Sequence, residues 1–334
     1  MKQPMNVLVV GAGAMGRHHI RNYASMHDVS EVHAVEPNTE SKKQLSEMNL
    51  DGKVHVHDTL EKALKEKPDA ASIVVPTPFH AQVAGILLEK GVACLVEKPL
   101  AASLTEGVAL KALAEKHETV LCVGHIERFN PAVQTLKKHL PQIGDVVYAS
   151  AHRFGVPSPR KLGHAFFDQG VHDMDVLCYL TGKKPKTVFG IHQAVLDSFD
   201  VASALLEFDG FYAAVEANRV TPIKTRQLIV TGTQGSAHLD YITQELTITL
   251  EGDQKPEFKT FDEILWRAGR GTEMRPYFAK KEPLRAELEH FLNAAQGKEK
   301  PLCTAKDGLN AIAIAQACVD SATTGKKIQV PQTF

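Results

Sequence analysis

Residues 6–16 read NVLVVGAGAMG, and their reading decides the fold. NVLVV is a short run rich in β-branched residues, the composition of a strand covered on both faces. It breaks into Gly11-Ala12-Gly13-Ala14-Met15-Gly16, a GxGxxG. In such a turn the first glycine permits the tight bend and the second lets backbone approach a pyrophosphate. The third lets the following helix pack close to the strand. A helical stretch follows from about Met15 to Met26, and its N-terminus suits phosphate. Glu36 closes the next strand-like run, EVHAVE (31–36). An acid about 20 residues past the glycines accepts hydrogen bonds from an adenosine ribose. Glycines alone are a weak signal; strand, turn, helix and acid in order predict a dinucleotide site. A carboxylate at 36 repels a 2′-phosphate, and Pro37-Asn38-Thr39 supply no arginine to receive one. The expected cofactor is therefore NAD rather than NADP.

Outward from this turn the alternation continues. KVHVH (53–57), AASIVVP (70–76), ACLVE (93–97) and VLCVG (120–124) read as strands, with helices over 58–66, 79–90 and 103–117 between them. Strands alternating with helices of this size predict βαβ units and a parallel sheet. Past about residue 145 the pattern changes. DVVYASAHRF, KTVFGIHQAV, VASALLEF, FYAAVEANRV, RQLIVTG, SAHLDYI and ELTITLE read as strands, several alternating apolar and polar. That predicts a mainly antiparallel, open sheet with one exposed face. Helices are expected near 168–180, 282–296 and 306–323. The expected organisation is an α/β Rossmann domain over 1–124 and an α+β substrate-binding and oligomerisation domain over 125–334, whose closing helices are free to pack back on the first.

The chain has 334 residues, 43% hydrophobic, with net charge −1. Two domains fit that length. No basic excess asks for nucleic acid, and no polybasic tract for a membrane surface. No apolar run nears the roughly 20 residues of a membrane span, and the N-terminal run leads into a glycine turn rather than a cleavage site. The five cysteines are scattered, with no CxxC pair. They read as small buried hydrophobes in a reducing, cytoplasmic setting, with no metal site expected.

Open parallel sheets bind ligands beyond the carboxyl ends of their strands. Three stretches lie there: Pro76-Thr77-Pro78-Phe79-His80, Glu97-Lys98-Pro99 and the run from His125 to Asn130. Removing a hydride from an alcohol carbon also requires a base for the hydroxyl proton. Lys98 is one candidate, with Glu97 as its structural partner. A second-domain stretch, FDQGVHDMD (167–175), offers another. If it is helical, Asp168 and His172 share a face, and a carboxylate one turn away can orient an imidazole. An acid-rich helix N-terminus with a half-buried histidine explains the same spacing.

Taken together, GxGxxG, the acid after strand two, EKP after strand five and DxGxHxxD in the second domain resemble the Gfo/Idh/MocA oxidoreductases, over nearly the whole chain. The resemblance implies that Lys98, Asp168 and His172 meet beside the nicotinamide, and that the outer face of the second sheet joins subunits, as a dimer or tetramer. It implies cofactor contacts from Gly11, Gly13, Ala14, Met15, Gly16, Glu36, Pro76, Thr77, Pro78, His80, Glu97, Lys98 and Asn130. Which of Lys98 and His172 is the base stays open. The Lys98–Pro99 bond is a candidate for the cis form.

GHIERFNPAV (124–133), FFDQGVHDMDVLCYL, TPIKTRQLIVTGTQGSAHLDYI (221–242) and EPLRAELEHFL (282–292) carry a narrower resemblance, to the UDP-N-acetylglucosamine 3-dehydrogenases. That implies oxidation of a sugar C3 hydroxyl to a ketone. A PLP aminotransferase then makes the amine for a lipid A precursor. Enzymes acting on the uronic acid form, on inositol or on a free sugar remain alternatives, as does a non-catalytic NAD-sensing protein. A UDP pyrophosphate needs cations or backbone donors. Arg153, Arg160 and Lys161 in HRFGVPSPRK, or Arg267, Arg270 and Arg275 in WRAGRGTEMRP, could supply them. Of these, Arg153 and Arg160 are the expected substrate contacts, with Lys98, Asp168 and His172. Solvated surface charge is the competing reading. Trp266 is a lesser candidate for stacking on uracil.

Overall fold

A computed structural model of the chain describes residues 4–48, 50, 52–157, 163–196, 198–251 and 271–334. The chain divides into two units. One holds residues to Phe129 with Lys281–Ile312 and Phe334; the other holds Asn130–Lys280 and Ala313–Thr333.

The first unit is a six-stranded parallel sheet, β1 (Met5–Val10), β2 (Val29–Val35), β3 (Val54–His57), β4 (Ala70–Ile73), β5 (Ala93–Glu97) and β6 (Leu121–Gly124), in the order β3-β2-β1-β4-β5-β6. Between them run α1 (Ala14–Ala24), α2 (Thr39–Ser46), α3 (Leu60–Ala63), α4 (His80–Glu89) and α5 (Leu104–Lys116). β4 is four fully buried residues and β1 is buried at five of six, as continuous apolar runs require when helices cover both faces. The helix Pro283–Ala295 joins this unit. Leu284, Leu288, Phe291 and Leu292 lie on one face of it and enter the core with Val7, Val9, Ile20 and Leu95. The expected Rossmann sheet is thus present, and the closing segment divides between the units. None of the five cysteines is in a disulfide. Burial raises the thiols of Cys94 and Cys318 far above their ordinary range and, aided by Glu287, that of Cys122 to about 12. They act as packing groups.

The second unit opens with α6 (Pro131–His139), which the strand-dominated reading of this half omitted. Its signals were local: Pro131 at the first helical position and Asn130 as cap, its Oδ1 accepting from the Ala132 N–H at 3.1 Å. The sheet follows as β7 (Val146–Phe154), then α7 (Val171–Thr181) and β8 (Thr187–Gln193). Next come β9 (Val201–Glu207), β10 (Tyr212–Asn218), β11 (Thr225–Gly232), β12 (Gly235–Asp240), β13 (Glu245–Leu250), β14 (Thr272–Met274) and β15 (Ile328–Gln329). Their order is β14-β13-β12-β11-β7-β10-β9-β8-β15. The sheet is open and antiparallel except where β10 runs parallel to β7. Alternation sorts its faces. Ala213, Val215, Leu228, Val230 and Leu239 are buried, while Phe189, Ile191, Leu205 and Tyr212 stay exposed. The second half of the helix Ala305–Thr324 packs on the sheet at Gly190, where a Cβ would lie 2.5 Å from the Cys318 carbonyl oxygen.

On β2 and β3, His33 lies opposite His55, and its Nδ1 is 3.0 Å from Nε2 of His57. Burial and the two neighbouring imidazoles lower the pKa of His33, against a smaller opposing effect of Glu66 and Glu31. The folded state thus holds it neutral at pH values where the unfolded chain takes up a proton. Stability from this group is full above the ordinary histidine pKa of about 6.5 and is lost as pH falls below it. Lowering pH from about 7.5 to about 5.5 should therefore lower Tm in wild type by more than in His33→Gln. Equal drops, read by differential scanning calorimetry, refute this.

Candidate active site

The parallel register brings Val10, Val35, Ile73, Val96 and Val123 to one level. The residues just beyond form the ligand-binding edge, and the strand order reverses between β1 and β4, the switch point where such sheets bind ligands.

Gly11 has φ +98, and a Cβ there would lie 2.7 Å from the Val74 carbonyl oxygen. A Cβ on Gly16 would lie 1.9 Å from the Gly11 oxygen. Only glycine allows either approach. A Cβ on Gly13 meets nothing within 4 Å. That residue is the N-cap of α1, with no side-chain cap and no acid in the first turn, and Ala14 and Met15 open the helix beyond it. Glu36 is buried at the end of β2. Its Oε2 accepts from the Ala12 N–H at 2.8 Å and its Oε1 from the Asn38 N–H at 2.9 Å. The carboxylate is held in place, and each oxygen keeps acceptor capacity for a ribose hydroxyl. These residues fit a dinucleotide.

After β4, Pro76 leads into a 3-10 turn, Thr77–Phe79, that includes Pro78. His80 follows, buried, with Nδ1 2.8 Å from the Pro99 carbonyl oxygen and Nε2 2.8 Å from that of Val75. After β5, Lys98 is half-buried, and the Lys98–Pro99 peptide is cis. Glu97 accepts from the Lys98 N–H at 3.2 Å through Oε2, and its Oε1 lies 3.1 Å from Nε2 of His19. Burial raises the Glu97 pKa, but the hydrogen bond and charge of His19, with Lys98, outweigh it and hold the carboxyl below its ordinary range. His19 is fully buried. The sequence reading missed it, though it stands one helical turn past Gly16, on the side of α1 that faces the sheet.

In the second unit Asp168 lies in a π-helical turn, Phe166–Gly170, and His172 in the first turn of α7. The expectation of one continuous α-helix fails here. Across a π turn, a spacing of four does not guarantee a shared face. Asp168 pairs with Arg219, whose Nη1 lies 3.3 Å from Oδ2. Arg219 also donates to Asp200 at 2.9 Å and to Ser198 at 2.7 Å. Nearby, His164 Nδ1 accepts from the Phe166 N–H at 3.1 Å, which leaves Nε2 to donate to His192 Nδ1 at 2.9 Å. Burial, then His192 and Arg219, pull its pKa down to about 4, so it is a neutral ring. Nothing local in the sequence marks Arg219, which ends a strand like any other charged residue.

Two expected ligand contacts have other work. Arg153 is not a loop cation; it is buried in β7 and grips Asp173 with Nε at 2.7 Å and Nη2 at 3.1 Å. Asn130 caps α6 and donates to the Tyr241 carbonyl at 3.0 Å, buried within the second unit. Arg275 is exposed beside Glu273. Arg160, Lys161, Trp266, Arg267 and Arg270 lie outside the described residues. Among the described residues no group of three or more His, Cys, Asp or Glu could hold a metal ion.

A family model described as "Oxidoreductase family, NAD-binding Rossmann fold" matches residues 5–125, and its companion, "Oxidoreductase family, C-terminal alpha/beta domain", matches 137–330. The chain belongs to the Gfo/Idh/MocA oxidoreductase family. Its cofactor is NAD. As a family member it is 30% identical to the UDP-N-acetylglucosamine 3-dehydrogenase of Acidithiobacillus ferrooxidans, over 93% of this chain and 95% of that one. A solved structure of that enzyme superposes with a TM-score of 0.84 at 29% identity, covering 97% of this chain and 99% of the other. The scyllo-inositol 2-dehydrogenase (NAD(+)) of Bacillus subtilis is 26% identical, over 99% and 97%.

Glu36→Ala removes an acceptor with charge, a loss worth about tenfold or more in affinity. NADH binding, followed by fluorescence titration, should weaken by that factor, and the preference for NADH over NADPH should narrow. Unchanged NADH affinity would remove Glu36 from the ribose site.

Proposed function

We propose that the protein oxidises the C3 hydroxyl of a UDP-sugar, UDP-N-acetylglucosamine, to the 3-keto sugar. The reading rests chiefly on the end-to-end likeness to the Acidithiobacillus enzyme, in a chain that carries EKP and DxGxH at Lys98, Asp168 and His172. NAD, when bound, supplies the hydride acceptor. His172 removes the hydroxyl proton, since an ordinary imidazole pKa of about 6.5 suits a base at neutral pH, whereas a lysine near 10.4 needs strong depression. Lys98 donates to the same oxygen and stabilises the charge that develops there. Asp168, its carboxylate anchored by Arg219, tunes and orients the base. Arg160 remains the proposed cation for the substrate pyrophosphate.

A ketone at C3 is the group that a PLP aminotransferase converts to an amine. We place the reaction before such a step in amino-sugar synthesis for a lipid A precursor, in the cytoplasm. No helix among the described residues is long and apolar enough to cross a membrane. The inositol dehydrogenase likeness, with Arg153 already committed to Asp173, favours a polyol as the second reading. We also propose a homo-oligomer, dimer or tetramer, joined through the open sheet face. Ile191 is 60% exposed, Tyr212 53% and Leu205 50%, an apolar patch that calls for cover.

A spectrophotometric NADH assay across UDP-N-acetylglucosamine, its uronic acid form, inositol and glucose tests the substrate. The first should exceed the others in kcat/KM by about tenfold or more; inositol in the lead would establish the second reading. His172→Asn and Lys98→Met should each cost about 10²–10⁴ in kcat while NADH still binds. Undiminished turnover would remove the residue from the chemistry. Ile191→Glu with Leu205→Glu should reduce the assembly to monomers in size-exclusion light scattering, and an unchanged mass would place the interface elsewhere.

A further inference from the structure

β4 and β5 pair as far as Ile73 with Val96, where their register ends. Beyond that level their backbones continue as two separate turns. One carries Pro76-Thr77-Pro78 and the other carries Lys98. The side chain of His80 spans the gap. His80, 1% exposed, sets Nδ1 2.8 Å from the Pro99 carbonyl oxygen and Nε2 2.8 Å from the Val75 carbonyl oxygen. Both partners are acceptors only. The imidazole is rigid, so a ring that donates from both nitrogens fixes the separation of the two carbonyls. A neutral ring carries one N–H and an imidazolium two, so one turn or both are tied at any moment.

The other flank of the lysine is held as well. Glu97 Oε2 accepts from the Lys98 N–H at 3.2 Å, and Oε1 is pinned at 3.1 Å by His19. The backbone on both sides of Lys98 is therefore anchored, by Glu97 on one flank and by His80 on the other. We propose that His80 is a positioning residue. Through the Pro99 carbonyl it sets the placement of Lys98 relative to the Pro76–Pro78 turn. This inference rests on the reading of Lys98 as a catalytic group. Misplacement of a reacting group by about 1 Å can cost about 100-fold in rate, so the bridge controls kcat without being a ligand.

Two conservative variants separate its halves. An asparagine amide nitrogen overlays Nδ1 and keeps the bond to Pro99; a glutamine amide nitrogen overlays Nε2 and keeps the bond to Val75. His80→Leu keeps bulk and keeps neither. With UDP-N-acetylglucosamine, or whichever substrate of the panel above turns over, His80→Leu should lower kcat about 10- to 100-fold, with NADH affinity in fluorescence titration unchanged within a factor of about two. His80→Asn should recover most of that loss and His80→Gln little of it. If the leucine protein does not fold, the comparison of asparagine with glutamine decides alone. Wild-type kcat in all variants, equal losses in Asn and Gln, or NADH affinity falling in step with kcat overturns the proposal. Lys98→Met separates this from its premise: undiminished turnover there refutes the role of the lysine itself, whereas loss in Lys98→Met with wild-type rates at 80 refutes the bridge alone.

Discussion

A parallel sheet must find partners for the backbone groups that emerge where its strands stop, because buried N–H and C=O groups left unpaired are costly. In the first unit the ladder runs one residue past the strands, with Gly11 N–H on Val35, Glu36 N–H on His57 and Val74 N–H on Val10. Beyond that point side chains take over. Glu36 accepts from Ala12 and Asn38, Glu97 from Lys98, and His80 bridges Val75 and Pro99. The groups that finish the sheet are the groups that line its ligand edge. A substitution there changes local backbone order, and a loss of rate needs an independent binding measurement before it is assigned to chemistry.

The close contact of Gly16 with the Gly11 oxygen extends this coupling. It brings α1 against β1. One turn later His19 reaches the end of β5, two strands away in the sheet order. The helix that opens at the glycine turn is thereby tied to the strand that leads into Lys98. A methyl group at position 16 would push that helix outward and loosen the Glu97 anchor, although neither residue is near the other in sequence.

Legibility follows from how local the determinants are. The glycine turn, Glu36, EKP and the acids around His172 each announce themselves within a few residues, because the constraint is a backbone conformation or a reactive group at fixed spacing. The parallel sheet was equally readable from its buried runs. What sequence could not supply was pairing at a distance. Arg153 reads as a loop cation until Asp173, 20 positions away, is seen against it. Arg219 reads as a strand terminus until it is seen to reach three oxygens. The π turn at Phe166–Gly170 and the parallel pairing of β10 with β7 depend on tertiary packing. The helix at Pro131 is a different case, since its cap and its proline are local signals of a helix start.

The aspartates of FDQGVHDMD are unequal, and their partners say how. Asp173 is fully buried against an arginine that is itself buried. Breaking such a buried pair costs about 3–5 kcal/mol, so this aspartate serves the fold. Asp168 keeps a quarter of its side chain exposed and shares Arg219 with Asp200. If its carboxylate is lost, Arg219 still has Asp200 and Ser198 as partners. A chain with a neutral residue at 168 can therefore fold. Asp173 thus serves the fold through a buried ion pair, whereas Asp168 is partly exposed and shares an arginine that keeps other partners.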